Sequence, residues 1–269
     1  MKLKREINLE DHNVPTNILD GIIDIHIHTA PDVRLRIQND IEAAKSAKDA
    51  QMAGIVIKSH IEPTSGRAKM ATTISNFRVY GGVVLNHSVG GLNPAAVNSC
   101  ADMGGKFVWF PTISAPSIEI DWKKIEEIIH VVAENDMVLL TGHLKPDNIL
   151  DLIDMSRSMG LQKLVVNHPL TRVVNATLDE QLEMSRHAYL EHCFVACMKL
   201  HDNLDPALIK DSIKKVGAKR CIMSTDFGQI HNPKPVDGMK MYISTLQEHG
   251  IKNSEIHSMT VDNPKKLIE

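Results

Sequence analysis

No apolar run in these 269 residues approaches the ~20 that a membrane-crossing helix needs, so no helical span is expected. Met1–Asn13 carries basic side chains with no apolar stretch behind them, and no secretory signal is expected there. Acidic and basic residues nearly balance, at a formal net charge of -3, which gives no sign of the basic face that nucleic-acid binding requires. Cysteine is scarce. Cys100, Cys193, Cys197 and Cys221 lack zinc-finger spacing and three lie in apolar runs, so reduced, buried thiols of a cytoplasmic protein are expected. No Gly-x-Gly-x-x-Gly follows the first apolar run, which counts against a dinucleotide-binding sheet. Linkers, low-complexity segments and shifts of composition are also missing. One domain over residues 1–269 is therefore expected, with 1–20 as an N-terminal extension and 252–269 as a closing helix.

What the sequence has in excess is histidine, fourteen in all. Two stand in Ile22-Ile23-Asp24-Ile25-His26-Ile27-His28, which after Ile22 alternates strictly between aliphatic and polar residues. Successive side chains of a strand point to opposite faces, so Asp24, His26 and His28 are expected on one face and Ile23, Ile25 and Ile27 on the other. Imidazoles at i and i+2 converge on one point and suit a divalent metal with nitrogen ligands. On this stretch alone the plainer alternative, an edge strand carrying two histidines to solvent, stays open.

Downstream, apolar runs alternate with helical patterns. Strands are expected at Ile55–Ser59, Gly82–Asn86, Phe107–Phe110, Met137–Leu140, Leu164–Asn167, Cys193–Met198 and Cys221–Ser224. Helices are expected between them. Trp122–Asn135 is the clearest, with Ile125, Ile128, Ile129 and Val132 in i, i+3, i+4, i+7 register. Asn39 is placed to cap a helix over Asp40–Met52, and Leu178–Glu191 also reads as helical. This is the order of an α/β fold of the (β/α)8 TIM-barrel type, a single domain around a parallel eight-stranded sheet.

The C-terminal ends of these strands share a chemistry. They read His26-Ile27-His28, Lys58-Ser59-His60, Asn86-His87, Gly142-His143, Asn167-His168-Pro169 and Ser224-Thr225-Asp226. Active sites of such barrels are built on that face from several strands. A hydrophobic strand gains nothing by ending in imidazole. Any one of these histidines could be a buried group bonded to a backbone carbonyl, but the set points to a metal site.

The order H-x-H on the first strand, histidines after the fifth and sixth, and an aspartate after the eighth resembles the amidohydrolase superfamily of metal-dependent hydrolases. The matching residues are His26, His28, His143, His168 and Asp226, and Asn263-Pro264-Lys265-Lys266-Leu267 is similar to the Asn-Pro-x-x-Leu tail of that group. The resemblance runs from residue 22 to 268 and implies that these five residues hold one or two divalent ions, zinc by default. It also implies that Asp226 shuttles a proton, and that His168 either ligates a second ion or polarises the substrate carbonyl. In two-metal members a glutamate or carboxylated lysine on the fourth strand bridges the ions. Phe107–Thr112 offers neither. Lys58 could bridge ions as a carbamate, grip an anionic substrate or pair with Asp24; His60 and His87 are further candidate ligands or substrate contacts. Asp24 could orient a ligand imidazole.

Loop arginines bear on the substrate. Arg34 and Arg36 follow the first strand and Arg172 follows the sixth, where they could bind a carboxylate or phosphate, though any one could equally be a solvated charge. The expected partner is a small molecule, an anionic one fitting best, with homo-oligomerisation left open. Three readings follow: a hydrolase of a small amide, ester or lactone; a metal-dependent lyase or decarboxylase, which the missing fourth-strand bridge keeps alive; and a metal-binding barrel without turnover.

Overall fold

The computed structural model describes residues 17–269, in which short strands alternate with helices. The strand β1 (Ile23–His28) leads through a long loop to α1 (Asp40–Asp49), then β2 (Gly54–Lys58) and α2 (Ser65–Ser75). The next stretch is divided at Gly81 into β3 (Val79–Tyr80) and β4 (Gly82–Val84), followed by α3 (Pro94–Asp102) and β5 (Phe107–Trp109). Then come α4 (Trp122–Glu134), β6 (Val138–Leu140), α5 (Pro146–Ser158), β7 (Leu164–Asn167) and α6 (Leu178–Met184). The chain continues through β8 (Tyr189–Cys193), α7 (Pro206–Val216), β9 (Cys221–Ser224) and α8 (Pro235–Glu248). It closes with α9 (Asn253–His257), one π-helical turn and α10 (Asn263–Ile268). Asn39 caps α1 as expected: its side chain accepts from Glu42 N and Glu42 returns a bond to Asn39 N, each at 2.9 Å. Among the described residues, no helix is long and apolar enough to cross a membrane.

The strands are all parallel and follow one another in chain order, as in a (β/α)8 barrel. The hydrogen-bonded ladder is not an unbroken ring of eight, however. It falls into β1-β2-β3 and β4 through β9, with two seams. At the first seam Thr64 joins the halves, its hydroxyl at 2.8 Å from Ile57 O and accepting from Gly82 N at 2.9 Å. At the second, a single bridge links Ile27 to Phe227, and Asp226 N donates to His26 O at 2.8 Å. The Asp24 carboxylate stitches the same seam, accepting from Thr225 N at 3.2 Å and Thr225 Oγ1 at 2.6 Å.

Alternate residues of the strands, among them Val56, Val84, Trp109, Leu140, Val165 and Ile222, fill the barrel interior, and Leu267 packs against this cluster. Their neighbours face outward to the helices in two further clusters. One expectation fails here. Ile23 and Ile25 lie in the interior cluster while Ile27 faces the helices, because the β1–β2 register shifts between Asp24 and Ile27. A bulge inserts a residue and re-aims everything beyond it, which turns the last histidines toward the barrel mouth.

A second difference concerns the seventh expected strand. It is β8 at Tyr189–Cys193, not Cys193–Met198, and α6 stops at Met184. The apolar run Phe194–Cys197 is a 3-10 turn. The shift puts Glu191 and His192 on the strand.

Candidate metal centre

His26, His28 and Asp226 offer ligand atoms that all lie within 4.8 Å of one another. The two Nε2 atoms face one carboxylate oxygen, Asp226 Oδ1, at 3.3 Å from His26 and 3.0 Å from His28. Both imidazoles are buried, and the Asp226 side chain, 15% exposed, is the member open to the mouth.

The other ring nitrogens fix the tautomers. His28 Nδ1 lies 3.0 Å from Lys58 O, and a carbonyl can only accept, so Nδ1 carries the proton. His26 Nδ1 faces Glu191 Oε2 at 3.3 Å, which assigns its proton the same way. His168 Nδ1 lies 3.0 Å from Thr171 Oγ1, whose own hydrogen goes to His168 O at 2.8 Å. The bare Nε2 lone pair of His28 therefore points at a carboxylate oxygen, while His26 Nε2 faces that oxygen and the Lys58 ammonium together. Acceptor against acceptor at such distances is unfavourable unless a cation lies between them, and a divalent ion with nitrogen and oxygen ligands fits that donor set.

The electrostatics hold the groups in ligating form. Burial pushes His28 and His168 each down to about 4 and His143 to about 2, so all three are neutral near pH 7. Burial would raise Asp226, but the neighbouring His26 and His28 rings and the Lys58 ammonium overcome it and hold the carboxyl well below its ordinary range. Burial also lowers Lys58, opposed by the negative charges of Asp226 and Glu191.

Of the other expected residues, several gather around this triad. The Lys58 ammonium lies 3.0 Å from His26 Nε2 and 5.5 Å above the Trp109 ring. His60 stacks on His28 at 4.7 Å between ring centroids and is tied to Thr112 Oγ1 at 2.8 Å. His143 and His168 sit edge to face at 5.0 Å, with His168 6.3 Å from His26. These two flank the triad without entering its closest group. His168 and Asp226 have left-handed backbones, φ 27° and 53°, of the kind that concentrates at functional sites.

Others are not brought together. His87 is exposed and bonds Ser117 Oγ at 2.9 Å, away from the triad. Arg36 lines the cleft, but its guanidinium is claimed by Asp32, at 2.8 Å from Nε and 2.7 Å from Nη2. Arg172, 77% exposed, pairs with Asp202 at 2.7 Å. Arg34 is exposed and lines the cleft with no ion pair among the described residues. Asp24 pairs with Thr225 and the His26 backbone, not with Lys58 or the His26 ring; burial pushes its carboxyl up to about 7.

The residue missed from sequence is Glu191. Fully buried, it accepts from His26 Nδ1 and, at 2.5 Å, from Asn167 Nδ2, and its Oε1 has no partner. Burial would raise it, but the His26 ring beside it and these bonds hold it below the usual glutamate range. Cys193 Sγ lies 3.7 Å from the same Nδ1, so that His26, Glu191 and Cys193 form a second, fully buried group of ligating side chains, and burial with nearby negative charge raises the thiol well above its ordinary value. A carboxylate in the middle of β8 is hidden because the apolar run beyond it reads as the strand.

The triad opens into a cleft of about 320 Å3, lined by His28, Lys58, His60, His143 and Asp226. A larger hollow of about 560 Å3 beside Ile18–Ile22 and the last helices holds no group of three ligating side chains among the described residues.

Solved structures share this barrel. An organophosphorus hydrolase from Deinococcus radiodurans is 13% identical with a TM-score of 0.62, covering 92% of each chain. An amidohydrolase from Pseudomonas aeruginosa is 10% identical with a TM-score of 0.66, covering 93% of this chain and 96% of that one. A beta-aspartyl dipeptidase from Fervidobacterium islandicum AW-1, in complex with a beta-Asp-Leu dipeptide, is 13% identical with a TM-score of 0.64, covering 93% and 73%. The chain thus shares the fold of these enzymes. No curated protein matches the chain by sequence. A family described as "Family of unknown function (DUF6282)" matches residues 21–191, about two thirds of the chain, and the chain belongs to that family.

Proposed function

We propose that this protein is a metal-dependent hydrolase of a small amide, ester or lactone. The observation that carries the reading is the convergence of two buried imidazole Nε2 atoms on one carboxylate oxygen at the barrel mouth. His26, His28 and Asp226 would hold a divalent ion, with zinc as the default and His143 and His168 as further ligands for the same ion or a second. When bound, such an ion supplies Lewis acidity at a carbonyl and lowers the pKa of a neighbouring water.

The chain's own residues supply the rest. Asp226, open to the cleft, accepts the proton of the attacking water and returns it to the leaving group. His168, neutral and with its Nδ1 proton committed to Thr171, offers Nε2 for ligation and no proton for the carbonyl. Lys58 and His60 line the floor of the cleft and contact the substrate's polar atoms. Arg34 is the loop arginine whose charge is left for a substrate carboxylate, while Arg36 and Arg172 are already paired. The whole chain, 1–269, is taken as one domain, and its four free thiols suit a reducing cytoplasm.

The test is a panel of small esters, lactones and amides offered to protein reconstituted with zinc or manganese. Turnover that stops on chelation and returns with metal is expected. Full metal content without turnover of any of the three classes contradicts the proposal.

A further inference from the structure

Singly exposed aliphatic side chains are ordinary on a protein surface, but clusters around a concavity are not. Thirteen large hydrophobic residues are exposed among the described residues, and six of them stand on the loops that follow strands at the metal-centre end. They are Val33 and Leu35 after β1, Ile113 after β5, Val173 after β7, Leu200 after β8 and Ile230 after β9. Leu35, Ile113 and Ile230, at 78%, 47% and 56% exposure, line the same cleft as His28, Lys58 and Asp226.

The loop that shows Leu35 is pinned in place. Arg36 pairs with Gln229 in an antiparallel bridge, and Ile37 N donates to Gly228 O at 2.9 Å. The Arg36–Gln229 bridge brings the two loops side by side, so that Leu35 and Ile230, each next to a bridged residue, line one wall of the cleft. The Arg36–Asp32 pair neutralises the charge beside it. This wall runs down to the triad and belongs to a cleft of about 320 Å3, which suits a small molecule reaching the metal better than a flat protein face.

We propose that Leu35, Ile113 and Ile230 form a seat for an aliphatic group of the substrate, so that the class turned over carries an alkyl or acyl chain beside the scissile carbonyl. The inference rests on the metal-dependent reading of the site, and the test separates the two. The probe is a series of straight-chain hydroxamates, acetyl through hexanoyl, titrated by calorimetry into metal-loaded protein; the head group binds the metal and only the chain varies. Affinity is expected to rise about two- to fourfold per methylene, the range set by partial to full burial of each group. Leu35→Ser/Ile230→Ser, at two exposed positions outside the triad, is expected to keep the fold and metal content and to flatten that rise.

Equal affinity along the series overturns the aliphatic seat while leaving the metal reading standing. Failure of every hydroxamate to bind overturns both. A series that keeps its rise in the double variant overturns the assignment to this wall. Gel filtration of both proteins covers the remaining occupant: a wild-type dimer that becomes a monomer in the variant assigns the wall to a second copy of the chain and overturns the proposal.

Discussion

At His26 one ring stands between two carboxylates, Glu191 at Nδ1 and Asp226 at Nε2, and the two have different work to do. Asp226 is partly open to the cleft and Glu191 is sealed beneath it. Replacing Asp226 by Asn keeps shape and most hydrogen bonds but removes the proton acceptor. Turnover is expected to fall by about 10²–10⁴-fold, with a near-normal Tm and much of the metal retained; steady-state assay beside elemental analysis checks this. Glu191→Gln acts differently. The amide still fills the space but no longer sharpens the ring's basicity, so metal affinity is expected to fall by about tenfold or more while the fold survives. A chelator-competition titration, which reads affinity without turnover, checks that. At this scale the candidate site was largely legible, because His26, His28, Lys58, His60 and Asp226 all stand at the ends of apolar runs. Glu191 was not, since a single carboxylate between a helical pattern and the run Cys193–Cys197 carries no local mark of burial.

Elements bring these residues to one mouth, and the joints matter more than the strands. The bulge in β1 decides which way His26 and His28 point, and no alternation rule could have supplied it, since the polar-apolar pattern runs unbroken through it. The β9–β1 seam depends on close backbone approach: Gly228 has φ 139°, and a Cβ there would lie 1.8 Å from His28 O. Gly228→Ala is therefore expected to cost about 2 kcal/mol or more and to loosen His28 from Asp226. Thermal denaturation should show the lower Tm, and a control alanine at Gly160, which shares a positive φ (83°) but where a Cβ meets nothing within 4 Å, should show only the smaller loss due to backbone strain. The misplaced seventh strand has a similar origin. Six apolar residues in a row, Cys193–Met198, fit a buried strand or a tight turn equally well, and only packing against β7 and β9 chose Tyr189–Cys193.

At the scale of the molecule, the alternation of apolar runs and helical patterns was enough to specify a parallel barrel, because each strand must be buried on both faces. The two ladder seams lay beyond that signal, since they are held by the side chains of Thr64 and Asp24, far apart in sequence from their partners. A barrel whose mouth gathers ligating acceptors is stabilised as a whole when a divalent cation fills it. Metal at a hundred times its Kd is expected to add about 2.7 kcal/mol, or roughly 5–10 °C of Tm, lost on chelation and restored on titration. The central claim, that His26 and His28 hold a metal, is tested most directly by elemental analysis of protein purified without added metal or chelator, wild type beside His26→Ala/His28→Ala. The wild type is expected to carry about one divalent ion or more per chain and the folded double variant almost none. Equal metal in the two proteins would contradict the account.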